Sequence, residues 1–164
     1  MNNIYLIGLM GSGKTVIGRE LAKKIHRKYV DTDDAIEKKL GMKVPEIFSQ
    51  LGEEAFRNAE TQVIAELAQR RNRIISTGGG AALRRENVKL MQSSGLVVWI
   101  KRDIELILRG KRIRCRPLLA DDPNRIYAIA AEREPIYAAA CHAIVENNSS
   151  KEETVAKILK AAGR

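Results

Sequence analysis

The stretch GLMGSGKT, Gly8–Thr15, follows directly on the apolar run Ile4-Tyr5-Leu6-Ile7. Three glycines, a lysine and a hydroxyl after a short buried strand make an unusual demand on the backbone. Gly8-x4-Gly13-Lys14-Thr15 satisfies the P-loop pattern, with a strand before it and an amphipathic helix after it. The glycines let successive N–H groups turn inward toward phosphate oxygens. The helix beginning near Lys14 adds unsatisfied N–H donors and the positive end of its dipole. Lys14 then reaches the β- and γ-phosphates, and Thr15 offers its hydroxyl to Mg²⁺. The pattern says nucleotide and leaves the acceptor to be read elsewhere.

Outward from the loop, periodicity lays out the rest of the chain. Ile17, Leu21, Ala22 and Ile25 share one helical face. A poorer strand around Tyr29-Val30 ends at DTDD, Asp31 to Asp34, and Asp34 and Glu37 are spaced like a capping pair for the helix that follows. From Pro45 a mostly helical stretch runs to about Gln69, broken near Gly52. Ile74-Ile75, Leu96 to Ile100 and Ala143 to Val145 are further strands, and Ser150 with Glu153 forms a capping box for a closing helix. Five strands alternating with helices predict an α/β fold with a parallel sheet covered on both faces.

Composition bounds what such a chain can be. Its 164 residues suit one domain, 45% apolar and 30% charged. The longest apolar run is far below the ~20 residues of a membrane span. No secretion signal is evident, and Cys115 and Cys141 have no metal-like spacing, so a cytoplasmic protein is expected. The net charge of +9 raises nucleic acid as a partner. However, five basic residues lie within RGKRIRCR, Arg109 to Arg116, and without them 24 basic side chains face 20 acidic ones, an excess of only +4. With aromatics at 4%, stacking platforms for single strands are few. The surplus asks for a local anion.

Asp31 and Asp33 stand at a strand end, on the edge where parallel sheets place ligands. Asp31 can hold water on Mg²⁺, and Asp33 can accept the hydrogen of an attacking hydroxyl. Arg57 lies three residues before Glu60, a spacing that also suits an ordinary exposed ion pair worth little. STGGG, Ser76 to Gly80, supplies another run of backbone N–H groups. Farther on come RPLL, Arg116 to Leu119, and REPIY, Arg133 to Tyr137.

Taken together, GLMGSGKT, DTDDAIE, GEEAFRNAE, STGGGA, RPLL and REPIY occur in the order and near the spacings seen in shikimate kinases, and the chain resembles that family along essentially its whole length. The resemblance implies a three-layer P-loop fold with a parallel sheet in the order 2-3-1-4-5, a substrate-binding helical region about 33–61 and a mobile lid about 110–122. It implies ATP-dependent phosphorylation of the 3-hydroxyl of shikimate, on the route to aromatic amino acids. ATP would be held by Gly11, Ser12, Gly13, Lys14, Thr15, Val16, Arg109 and Arg116, with Mg²⁺ at Thr15 and Asp31. Shikimate would be held by Asp33, Arg57, Gly78, Gly79, Gly80 and Arg133. Asp33, Lys14 and Arg116 would carry catalysis.

Fork-shaped guanidinium groups suit a carboxylate, and carboxylates and glycine N–H groups suit ring hydroxyls. A related kinase acting on gluconate or a nucleoside monophosphate is the alternative, as is a non-enzymatic nucleic-acid binder; a monomer is expected, without nucleic acid or membrane. One departure from the family stands out: NNSSKEE lacks the arginine that some members place beside adenine. His142, just before the last strand, has no evident partner in the sequence.

Overall fold

In the computed structural model, which describes residues 2–110, 119 and 121–163, five parallel strands form one sheet in the order β2-β3-β1-β4-β5. The strands are β1 (Asn3–Ile7), β2 (Lys28–Asp31), β3 (Arg73–Ser76), β4 (Gly95–Lys101) and β5 (Ala143–Glu146). The central strand β1 pairs with β3 from Ile4↔Ile74 to Leu6↔Ser76, and with β4 from Asn3↔Gly95 to Ile7↔Trp99. The expected order and parallel pairing are thus present.

Alternation along β1 assigns its side chains to two cores. Tyr5 and Ile7 join Ile75, Val97 and Trp99 on one face. That face is covered by Ile64 of α3 (Val44–Ala68), Met91 of α4 (Arg85–Ser94) and Tyr137 of α6 (Arg125–Ala140). Ile4 and Leu6 face the other way, against Ile17 and Leu21 of α1 (Lys14–Lys24) and Val155 and Ile158 of α7 (Lys151–Ala161). A third cluster, Ile36, Ile47, Phe56, Ala59 and Val63, welds α2 (Thr32–Leu40) onto α3. One short helix, α5 (Ile104–Leu108), follows β4.

The break expected near Gly52 is real. Its φ of 84° and ψ of 169° interrupt α3, a conformation that is essentially glycine's alone. The helix-start reading at Asp34 and Glu37 is corrected. β2 runs into α2 without a loop, so Asp31 is the cap, its Oδ1 accepting from Asp33 N at 3.0 Å. Glu37 instead receives the N–H of Val44 and the ammonium of Lys43. Ser150 caps α7 as expected, accepting from Glu153 N. His142 has a partner after all: its Nδ1 accepts the N–H of Val97 at 2.9 Å.

Candidate active site

The loop after β1 is braced from behind and lined with a cation. Gly13, with φ of 95°, sits in the left-handed region that an L side chain resists, at the N-cap of α1. A Cβ there would strike the amide of Asn147. Asn147 is buried after β5, donates its Nδ2 to Ser12 O at 2.8 Å, and is itself fixed by Thr154 Oγ1 at 3.0 Å. The end of one strand therefore holds the turn that follows another. Lys14 is 8% exposed, and its Nζ donates to Gly8 O and Leu9 O, both at 2.8 Å. The ammonium thus lies within the loop, held by carbonyls of the backbone that surrounds it.

At the start of α1, Thr15 Oγ1 donates to Asp31 Oδ2 at 3.2 Å, and Tyr29 OH donates to the same oxygen at 3.1 Å. Asp31 thereby ties three elements together. Burial, with the nearby negative charge of Asp31, pushes the Tyr29 phenol up to about 12, so it remains a donor. Val16, the next residue, is exposed.

The three glycines after β3 form the junction of the site. Thr77 N bonds Leu6 O, Gly78 N donates to Thr32 Oγ1, and Tyr137 OH donates to Gly79 O. The glycines face different charged groups. A Cβ on Gly78 would lie 3.0 Å from both Asp33 Oδ1 and Glu60 Oε1; on Gly79, 3.4 Å from Met10 N and 3.5 Å from Arg133 Nη1; on Gly80, it would overlap the Arg57 guanidinium. One turn without side chains so admits two carboxyl groups, two guanidinium groups and the phosphate loop into a single space. Asp33, Arg57, Arg133 and Gly78 to Gly80, scattered in sequence, are brought together there.

Arg57 is not the exposed ion-pair partner its spacing would also allow. Its Nη1 meets Glu60 Oε2 at 2.9 Å, and the Glu60 side chain is fully buried. Burial pushes the Glu60 carboxyl above the usual carboxylate range, against the opposing pull of Arg57, Arg84 and Arg133. Its second oxygen, Oε1, is buried without a hydrogen-bond partner and faces Gly78. Arg133 is 8% exposed, on the turn of α6 that also carries Tyr137. Burial raises the Tyr137 phenol to about 12, despite the neighbouring Arg133. The sequence offers Glu60 only as an ion-pair partner of Arg57 and Tyr137 only as packing beside Arg133, and it gives no sign of Asn147, since their roles depend on long-range packing.

Arg109 is exposed at the C-terminal end of α5. Arg116 and most of the expected lid lie outside the described residues. Among the described residues no group of three or more His, Cys, Asp and Glu side chains could hold a metal. A hydroxyl and one carboxylate at Thr15 and Asp31 do fit Mg²⁺, which keeps water and substrate phosphates as most of its ligands.

A family model described as Shikimate kinase matches residues 10–162. A shikimate kinase of Symbiobacterium thermophilum is 43% identical, the match covering 96% of this chain and 94% of the relative. One from Burkholderia thailandensis is 44% identical, covering 88% and 80%. Among solved structures, shikimate kinase from Acinetobacter baumannii in complex with shikimate superposes with a TM-score of 0.92 at 37% identity, covering 99% of this chain and 93% of that one. Shikimate kinase from Aquifex aeolicus gives 0.84 at 35% identity, covering 98% and 96%.

Proposed function

The chain belongs to the shikimate kinase family, and from that premise we propose how its residues divide the work of the reaction. It is an enzyme that phosphorylates shikimate, with ATP as the second substrate. The assignment of roles rests on one observation: the Gly78–Gly80 turn gathers Asp33, Arg57 and Arg133 beside the phosphate loop.

Arg57 and Arg133 grip the shikimate carboxylate, two guanidinium forks fixing its orientation as well as its charge. Glycine N–H groups of the turn and the Asp33 carboxylate take ring hydroxyls. Asp33 accepts the hydrogen of the 3-hydroxyl, which leaves that oxygen free to attack phosphorus. Gly11 to Val16 cradle the phosphates, and Lys14 exchanges its carbonyl contacts for phosphate oxygens. Phosphoryl transfer asks the protein mainly for positioning and for neutralising charge.

Thr15 and Asp31 hold Mg²⁺, which offsets negative charge on the phosphates when bound. Residues about 33–61 form the acceptor region. Arg109, and Arg116 within a lid about 110–122, reach ATP; for Arg116 the support is its place in the sequence motif. The same reading makes the protein a cytoplasmic monomer that binds no nucleic acid; sedimentation of the pure protein tests the monomer, and a stable dimer contradicts it. Among the described residues no helix is long and apolar enough to cross a membrane.

The deciding experiment offers purified protein Mg²⁺-ATP with shikimate, gluconate and nucleoside monophosphates and follows ADP release. Shikimate is expected to be strongly preferred, with the 3-phosphate as product. Preference for another acceptor would overturn the assignment of Asp33, Arg57 and Arg133.

A further inference from the structure

Between the ends of β4 and β5 lies an arginine that the roles above leave unused. Asn147 N bonds Lys101 O at 2.8 Å, and Asp103 N bonds Asn148 Oδ1 at 2.9 Å, so the corners after the two strands are stitched together. Arg102 stands in this seam. Its neighbour Lys101 pairs with Glu134, whereas Arg102 itself has no hydrogen bond or ion pair among the described residues. Its Nε is shielded from solvent without a partner, and its Nη1 would be 3.7 Å from a Cβ on Gly13. A half-buried guanidinium costs desolvation free energy unless a partner offsets it. Here the facing surface is the nucleotide loop.

The sheet order says which part of a nucleotide would meet it. Asp33, Arg57 and Arg133 converge after β3, to one side of β1. A terminal phosphoryl group facing that cluster sends the nucleoside end the opposite way, over β4 and β5. The segment after β5, Asn147 to Ser150, offers amides and hydroxyls but no cation. We propose that Arg102 is a nucleotide-binding residue whose guanidinium contacts the adenosine half of ATP, by stacking on the base or donating to the ribose. A planar, permanently charged fork is suited to both contacts. The proposal rests on the loop binding ATP as described above.

Calorimetric titration of ADP, inorganic tripolyphosphate and shikimate into wild type, Arg102→Met and Arg102→Lys tests it. Loss of an adenosine contact should weaken ADP about tenfold in both variants, the range of a hydrogen bond to a charged group. Tripolyphosphate and shikimate should bind as they do to wild type. Arg102→Lys keeps the charge and the stem, so a folding defect confined to Arg102→Met leaves the test intact. Unchanged ADP affinity overturns the proposal, and so does equal weakening of ADP and tripolyphosphate, which would make Arg102 a support for the loop or the phosphates. Failure of wild type to bind shikimate would strike the acceptor assignment instead, whatever ADP shows.

Discussion

Arg57 spans Glu60 on its own helix and Gly80 across the site, so its fork is aimed before any ligand arrives. Lysine there keeps the charge and loses the two-pronged geometry. Arg57→Lys is therefore expected to weaken shikimate about tenfold while ADP affinity holds; unaltered shikimate binding by calorimetry would remove Arg57 from the clamp. Glu60 makes a second prediction, in pH. Its folded carboxyl lies above the ordinary value of 4.5, chiefly through burial. Its contribution to stability is therefore complete below about 4.5 and is lost as pH rises through the raised folded value. Subtracting the Glu60→Gln stability curve from that of wild type should give a difference that falls over this window. A flat difference would mean Glu60 titrates as an exposed acid. Arg57 was legible from the sequence and Glu60 was not, because an i, i+3 pair looks alike whether it faces water or a closed turn.

Helices here begin and break at single residues. Gly52 has open space where a Cβ would go, so any cost of Gly52→Ala comes from the backbone alone. That cost should be about 1–3 kcal/mol in urea denaturation; an unchanged midpoint would mean the break relaxes freely. Asp31 caps α2 while accepting from Thr15 and Tyr29. Asp31→Ala should lose about 1 kcal/mol from the cap and should need a higher Mg²⁺ concentration for half-maximal turnover; unchanged stability and an unchanged Mg²⁺ requirement would contradict its double role. The Gly52 break was readable because glycine in a helical pattern signals special backbone. The cap at Asp31 was misplaced by the acid run Asp31-Thr32-Asp33-Asp34, in which only the end of β2 settles which carboxylate leads. Helix α6 was harder still, since Pro135 lies inside it while Arg133 and Tyr137 on either side are buried.

At the level of the whole molecule, alternation of buried strands and helices made the sheet readable, and the strand order came from family resemblance. The cross-strand braces did not, since Asn147 under Ser12 and Tyr137 on Gly79 join residues far apart in the chain. Charge also belongs to this scale. Five of the basic residues lie within Arg109 to Arg116, so more than half of the +9 falls within eight residues of the sequence. Polyanion binding should therefore be weak at physiological salt and displaced by ATP; tight, ATP-insensitive binding of DNA would show a second basic surface.

Trp99 is the chain's single tryptophan, with its ring 5.7 Å from that of Tyr137 and its edge against Gly8. Tyr137 in turn grips the carbonyl of Gly79. One indole thus abuts the strand leading into the nucleotide cradle and, through a phenol, the turn beside the acceptor. The protein carries its own optical reporter: intrinsic fluorescence can follow the filling of either half of the site without a label, and Tyr137→Phe should uncouple the signal of one half from that of the other.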